Sequence, residues 1–276
     1  MEQVLRVEDL TVRYGAGCPY CDDADNPLER NRCPRCRSVL AVRGVSLDVY
    51  PSEILGVVGE SGSGKSTLLQ TLYFARPATS GRAYIQGYEN GETDIFTASG
   101  QQRQAIRNEL MGMVYQSPAM GLLMDFSSGG NVAQKLIAAG RRNVSDMRER
   151  TRELLGHMEI PTNRVKEPPR QFSGGMQQRV QISKAIANNP PLLLLDEVTT
   201  GLDLSVQARV LDLIRMVQKT LGIAMIVVSH DLAVIRMLAD RSIVMLDGEI
   251  VEHGLTDQIL EDPQHKFTQT LVHSLL

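Results

Sequence analysis

No stretch of this 276-residue chain approaches the ~20 consecutive apolar residues that a membrane-spanning helix needs. The start, Met1-Glu2-Gln3-Val4-Leu5-Arg6, carries an acid and no long apolar core, so it does not read as a signal peptide. An excess of charge is missing too. There are 29 Lys and Arg against 32 Asp and Glu, a net charge of −3 and a pI near 6.0, so there is no global nucleic-acid footprint. No internal repeat or low-complexity segment is evident. The expectation is a cytoplasmic protein with no nucleic-acid partner, one that reaches a membrane, where it serves one, through a partner. Cysteine is scarce and lopsided: all four lie between positions 18 and 36. That clustering suggests a local metal site rather than a disulfide framework spread through the fold.

What is present is an alternation of strands and helices, in a chain long enough to bury a substantial core. Val4 to Val12 roughly alternates, as a half-buried strand does, and Tyr14-Gly15 ends it. Residues 16–38 are polar, contain proline and cysteine, and read as an insertion; Val39 to Val49 then resumes β character. Glu53 to Val58 predicts a short buried strand that runs into a glycine loop, with a helix from Ser66 to Phe74. Residues 101–170 read as a mostly helical, charged subdomain, and 254–276 as a C-terminal tail, within a single domain over 1–276. A helix is expected over Met176–Asn188 and another over Val206–Thr220. Buried strands are expected over Leu192–Leu195 and Ile223–Val228, and a hairpin turn at Asp247-Gly248. The order implies an α/β core with a mainly parallel sheet.

The chemistry lies in a few short stretches. Gly59-Glu60-Ser61-Gly62-Ser63-Gly64-Lys65-Ser66 has the strand, loop, helix context of a phosphate-binding loop. Its glycines let backbone N–H groups converge on phosphates, and the helix start adds its positive end. Lys65 suits the phosphate charge and the Ser66 hydroxyl suits Mg²⁺. Asp196 ends an apolar strand where a carboxylate can reach Mg²⁺. Glu197 follows as a candidate general base for an attacking water. Ser173-Gly174-Gly175 alone would be an N-cap and a turn, yet a capping hydroxyl, bare amides and a helix start also make an anion site.

In this order, the glycine loop, Gln116, Phe172-Ser173-Gly174-Gly175 and Leu192-Leu193-Leu194-Leu195-Asp196-Glu197 resemble the ATP-binding cassette (ABC) family. The resemblance covers nearly the whole chain outside the cysteine insertion. It implies a P-loop NTPase core with an antiparallel β subdomain and an inserted helical subdomain. It also implies an ATP hydrolase that uses Mg²⁺ and works as a homodimer, or as a heterodimer with a second cassette. Ser173-Gly174-Gly175 then caps the nucleotide of the opposite subunit. Gln116 matches the glutamine that touches Mg²⁺ and links core to helical subdomain, His230 the histidine at the γ-phosphate, and Tyr14 the aromatic that stacks on adenine. Asp203, in Gly201-Leu202-Asp203, matches the loop that communicates across the dimer. Thr67 and Gln177 fall among the nucleotide-binding positions. The chain departs from the usual family pattern at Phe172, Met176, Val198 and Thr200-Gly201. Phe172 and Met176 leave the Ser-Gly-Gly donors in place, and Val198 lifts a φ constraint just after the base, a change that could alter turnover and is not expected to abolish it.

Two subfamilies compete. The stretch Asp262 to Gln269 resembles the tail shared by oligopeptide and nickel importer ATPases, and also that of the cassette subunit of the bacterial carbon–phosphorus lyase system. Ser127 to Val132, Phe172 to Arg179 and Gly201 to Arg209 look like the lyase form. One reading therefore couples ATP turnover to a soluble lyase core through the helical subdomain. A second drives a membrane permease, and a third has a stand-alone cassette acting on another complex.

The cysteines remain outside the resemblance. Cys18-Pro19-Tyr20-Cys21 and Cys33-Pro34-Arg35-Cys36 are two C-x-x-C pairs with 11 residues between them. Two such turns complete a tetrahedral S₄ site for Zn²⁺, structural because no position is left for water. Two disulfides, an iron–sulfur cluster and unused thiols are the rival readings. An element of this size builds no core of its own, so a metal would supply its folding energy. It could order the turn after Tyr14 or offer a partner a rigid knob.

Overall fold

The computed structural model describes residues 2–23 and 26–273. Residues 1, 24, 25 and 274–276 lie outside the described residues, so the spans 1–276, 16–38 and 254–276 are followed only in part. In chain order the first elements are β1 (Leu5–Tyr14), α1 (Pro19–Asp22), β2 (Val39–Val49), β3 (Ile54–Val58), α2 (Lys65–Leu72), β4 (Ser80–Ile85), α3 (Gly100–Ala105) and β5 (Met111–Val114). There follow α4 (Pro118–Gly121), α5 (Ser128–Ala138), α6 (Val144–His157), α7 (Gly174–Ala185), β6 (Leu192–Asp196) and α8 (Leu204–Leu221). The chain ends with β7 (Ala224–Val228), α9 (Leu232–Leu238), β8 (Arg241–Leu246), β9 (Glu249–Leu255), α10 (Thr256–Glu261) and α11 (Lys266–His273). It is an α/β fold of the P-loop NTPase kind, with parallel strands, a separate antiparallel sheet and helices.

The chain divides into two compact units. The first holds Met1–Tyr50, Ile54–Ala98 and Val228–Leu276. In it β1 is the centre of an antiparallel sheet, with β2 on one side and β4 on the other. Leu5, Val7, Leu10 and Val12 turn one face of β1 to the core. Register shifts between Val7 and Arg13, with Asp9 at φ 48°, re-aim the strand end that carries Tyr14. β4 carried no clear sequence signal, because only Ala83 and Ile85 of its six residues are buried. The same unit pairs β3 parallel to β8, and β8 antiparallel to β9. The turn between these last two is Asp247-Gly248, with φ of 49° and 90°, the left-handed pair that a tight hairpin requires. All of β3 is buried, as a strand covered on both faces must be, and it delivers the chain directly to the glycine loop.

The second unit holds Pro51–Glu53 and Ser99–Val227. β5 runs parallel to β6, and β6 adjoins β7. Strand β5 lies inside the span read as mostly helical; four residues are too few for a strand pattern to stand out. The rest of that span does carry helices α5 and α6. Helix α8 buries Val210, Leu211, Leu213, Ile214 and Val217 along one stripe, is capped by Asp203 and stops at Gly222 (φ 63°). Helix α7 lies directly on β5. A Cβ on Gly112 would stand 2.6 Å from the Ala185 carbonyl oxygen and 2.6 Å from Leu193 Cδ1. Gly112→Val should therefore destabilise the protein by about 1–3 kcal/mol through overpacking. Urea unfolding measures this, and a variant of unchanged midpoint would show that α7 can retreat from β5 without cost.

Candidate functional site

The glycine loop is built around a space that no side chain could share. A Cβ on Gly59 (φ 149°) would lie 2.1 Å from the Met245 carbonyl oxygen, and one on Gly64 (φ 103°) would lie 1.9 Å from that of Ala41. Both obstacles are backbone, so neither can rotate away. Helix α2 starts at Lys65 behind this loop. Lys65 is buried, at 4% exposure, and its ammonium donates to the carbonyls of Gly59 (2.8 Å) and Glu60 (2.7 Å), with Ser63 Oγ at 3.3 Å. The buried cation is solvated by the loop that it completes. Ser61 and Gly62 form the exposed crest, and Ser66 and Thr67 open the first turn of α2 half-buried. Such a cradle of amides, lysine and helix start is the arrangement that binds nucleotide phosphates. The Ser66 hydroxyl is a hard oxygen donor of the type Mg²⁺ takes.

Two more expected residues belong to the same unit. Tyr14, the last residue of β1, is half-buried; its hydroxyl lies 3.2 Å from Thr67 Oγ1, and the Arg76 guanidinium lies 5.0 Å from its ring centroid. His230 is exposed directly after β7. The preceding Ser229 N–H donates to the Val57 carbonyl (3.2 Å), which sets His230 at the same strand end from which the glycine loop leaves.

The second unit holds the acids. Asp196 ends β6, is 5% exposed, and offers a carboxylate of the kind a divalent cation takes. Glu197 follows at φ 46°, a left-handed conformation that costs a non-glycine residue strain. Its Oε2 accepts from Gln116 Nε2 (3.1 Å) and Thr200 Oγ1 (3.2 Å). Gln116 and Glu197 are thus brought together, as a glutamine that orients a base would be.

Ser173 caps α7 through the Met176 N–H. Gly174 is exposed, and Gly175 is buried so close to α8 that a Cβ would stand 2.2 Å from Val206 Cγ1. Gln177 spends its amide on the carbonyls of Pro169 (3.0 Å) and Phe172 (3.0 Å), which fixes the loop before α7. Asp203 caps α8, accepting from the Val206 N–H (3.0 Å) and the Ser205 hydroxyl (2.7 Å). Those bonds, the Val206 N–H first, hold its carboxyl below the usual range.

Two residues not singled out from sequence are wired into this unit. Gln181, 1% exposed, accepts from the Tyr115 N–H (2.5 Å) and donates to the Tyr115 carbonyl (3.3 Å). Gln178, 2% exposed, donates to the carbonyls of Tyr115 (3.2 Å) and Val198 (3.0 Å). One helix thereby grips the residue before Gln116 and the residue after Glu197. Their spacing on the buried face of α7 was the available signal, since a glutamine there has to find a partner.

The four cysteines converge in the first unit. All four Sγ atoms lie within 4.8 Å of one another, with Cys18–Cys21 at 3.9 Å, Cys18–Cys33 at 3.7 Å and Cys21–Cys36 at 3.7 Å. None is in a disulfide. Bonds of about 2.3 Å to one tetrahedral Zn²⁺ would set the sulfurs about 3.8 Å apart. The donor set fits a single S₄-bound ion. A cluster with each cysteine on its own iron needs wider spacing. Burial pushes the Cys21 thiol up to about 11, while the Ser38 hydroxyl pulls Cys36 down to about 6.

The glycine cradle, the strand-end acids and the capped Ser-Gly-Gly helix define a nucleotide-binding cassette. The ABC transporter family model matches residues 42–200, and the chain belongs to that family. It is an ATP hydrolase that takes ATP with Mg²⁺. It is 45% identical over 275 residues to the putative phosphonates utilization ATP-binding protein PhnK of Escherichia coli (strain K12), covering 100% of this chain and 98% of that one. It is 35% identical over 275 residues to the oligopeptide transport ATP-binding protein OppF of Lactococcus lactis subsp. lactis (strain IL1403), with 100% and 81% covered. It also resembles the dimeric, ADP- and Pi-bound post-hydrolysis structure of the cassette MJ0796, at 28% identity and a TM-score of 0.75 over 91% of this chain and 98% of that one. The chain is therefore an ATPase subunit of a transporter-type system. No helix among the described residues is long and apolar enough to cross a membrane.

Replacing Gln181 with leucine leaves the Tyr115 N–H without its side-chain acceptor and the Tyr115 carbonyl with Gln178 alone. Gln181→Leu should cost about 1–3 kcal/mol and reduce ATPase kcat more than it raises KM, because the grip on Gln116 loosens. Denaturation curves and steady-state kinetics check this; full stability and turnover in the variant would deny the glutamine that role.

Proposed function

We propose that this cassette couples ATP turnover to the soluble carbon–phosphorus lyase core in phosphonate breakdown. The observation that carries the reading is the 45% identity, end to end, with a relative named for phosphonates utilization. The resemblance of Ser127–Val132 and of the stretch around Ser173 to the lyase form supports it. The alternative, a permease-bound importer ATPase, rests on the lower identity to OppF, of which 81% is covered. The helical segment is the partner's contact surface in either case. It exposes Met120, Leu123, Phe126, Ile137 and Val144, and holds a groove of about 570 Å³ edged by Arg148, Arg152 and Lys166.

Within the cassette, Gly59, Ser61, Gly62, Ser63, Gly64, Lys65, Ser66 and Thr67 bind the phosphates, and Tyr14 stacks on adenine. Ser66, Gln116 and Asp196 serve Mg²⁺. Glu197 is the general base and His230 contacts the γ-phosphate. Ser173, Gly174 and Gly175, steadied by Gln177, face the nucleotide of a second cassette, and Asp203 shapes that interface. Cys18, Cys21, Cys33 and Cys36 hold one structural Zn²⁺, a reading supported by their pairing in sequence and their sulfur spacing.

Glu197→Gln should keep ATP binding, lower turnover by ~10²–10⁴ and trap a dimer with Mg-ATP. Size-exclusion chromatography reads the outcome, and a variant that binds ATP yet stays monomeric, alone and with its partner, would contradict the dimer. Deleting the gene should abolish growth on an alkylphosphonate as sole phosphorus source and spare growth on phosphate. Unimpaired growth on phosphonate, or co-purification with a peptide permease, would favour the importer.

A further inference from the structure

The cysteine segment is tied to the rest of the first unit mainly at the end of β1. The Arg13 guanidinium pairs with the carboxylate of Asp22, the residue after Cys21. Ser38 Oγ accepts from the Gly17 N–H (3.0 Å) and lies 3.3 Å from Cys36 Sγ, and the Cys33 N–H donates to the Ser38 carbonyl (2.8 Å). Leu40 is covered by Cys21 and Cys33, with Cys18, Tyr20 and Leu28 packed against them. In the β1–β2 register Leu40 stands opposite Arg13, and Val39 opposite Tyr14. The Arg32–Val39 bridge and the Leu40 N–H bond to the Asn31 carbonyl (2.8 Å) extend the ladder into the segment itself. Tyr14 is therefore the last paired residue of a hairpin whose tip is the four-cysteine element.

We propose that the metal-loaded element fixes Tyr14 for the base of the nucleotide, with Asp22 and Ser38 as positioning residues. Metal occupancy then sets affinity for adenine and leaves affinity for the phosphates alone. This rests on the zinc and Tyr14 readings given above. The physical ground is that the described part of residues 16–38 buries little apolar surface, chiefly what Cys21 and Cys33 pack against Leu40 of β2, too little to stay ordered unaided. Without a cation, what the two C-x-x-C turns share is the packing of Cys21 on Cys33 and the Arg35 guanidinium over the Tyr20 ring. The hairpin end then frays, and the ring of Tyr14 loses the strand pairing that directs it and keeps only its side-chain contacts with Thr67 and Arg76. The glycine loop keeps its own supports, the carbonyls of Ala41 and Met245 and the Gly248 N–H that donates to the Ser63 carbonyl (3.1 Å). The Arg13–Asp22 pair is an exposed contact, worth little by itself. Breaking it should have a smaller effect than losing the metal.

The test compares Mg-ATP with Mg-tripolyphosphate, a probe that has phosphates and no base. The full chain, purified without chelators, should hold one zinc by elemental analysis. Chelation should weaken Mg-ATP roughly 5- to 100-fold, the range of one base–aromatic stack, with tripolyphosphate affinity unchanged and ATP affinity restored by added zinc. Asp22→Ala should keep its zinc and weaken ATP roughly two- to fivefold, on the scale of an exposed ion pair; Asp22→Glu should recover the loss. Tyr14→Ala should weaken ATP as chelation does, and chelating that variant should do nothing more. Zinc that leaves without changing ATP affinity, an equal loss for tripolyphosphate, or additive losses in Tyr14→Ala would each overturn the coupling. A chain without metal would sink the zinc reading and the coupling with it. Wild-type ATP affinity in Tyr14→Ala would sink the Tyr14 reading alone and leave the zinc site standing.

Discussion

The first unit is organised by one constraint: backbone amides that converge on phosphate need a space in which no side chain can stand. Carbonyls of β2 and β8 wall the loop so closely that Gly59 and Gly64 have no substitute. Strand β3 must end there and α2 must begin there, so the dipole of the helix points into the same space. The β8–β9 hairpin then acquires a second task, since the Gly248 amide also supports the loop through Ser63. Burying Lys65 is tolerable only because the loop's own carbonyls receive its ammonium. Site and scaffold are the same atoms in this unit, which is why the glycine loop reads so clearly in sequence.

The second unit solves a different problem, holding a strained glutamate at a fixed place. Glu197 sits at positive φ, and relaxation would turn its carboxylate away. Its position is held from both sides: Gln116 and Thr200 bond the carboxylate, and Gln178 bonds the carbonyl of the next residue. Since Gln178 and Gln181 also hold Tyr115, any shift of α7 is felt by Gln116 as well as by the backbone after Glu197. The helix whose start carries Ser173-Gly174-Gly175 is thus connected, through two buried amides, to the backbone beside Gln116 and Glu197. Gly175 adds to this: its missing Cβ lets α7 sit against Val206.

Legibility in the sequence followed how local the physics was. Leu192 to Asp196, the α8 stripe, the Asp247-Gly248 turn and the glycine loop each carry their reason within a few residues, and each formed where the pattern put it. β4 and β5 did not read out. The first exposes much of its length, and the second is four residues whose burial depends on α7 lying across Gly112. The glutamine wiring was also hidden, because Gln178 and Gln181 look like ordinary helix residues until their carbonyl partners, far away in sequence, are known. For the cysteines, spacing alone left disulfides, clusters and single ions open. The four sulfurs gather within 4.8 Å of one another, a spacing that a single S₄-bound ion would fit and that four free thiols share.

A metal-closed tip of the kind proposed for the hairpin that ends in Tyr14 would also raise an electrostatic problem. A divalent ion held by four thiolates carries two net negative charges, and such a centre is costly beside an anionic nucleotide unless cations offset it. The element supplies them: Arg30, Arg32, Arg35 and Arg37 are all exposed along it, Arg35 lies 4.4 Å from the Tyr20 ring centroid, and Arg13 joins it through Asp22. Arginine suits this role because it stays charged at any physiological pH and stacks on aromatic rings. Asp22, Asp23, Asp25 and Glu29 already balance these four arginines, so a dianionic centre would leave the segment at about −2, and what the arginines supply is local positive groups on its surface. Order at the base and a presentable face for a partner are therefore not rival explanations of the insertion. The rigidity that would hold Tyr14 in place is the same rigidity that would make the arginines a defined surface, and both come from four sulfurs gathered around one point.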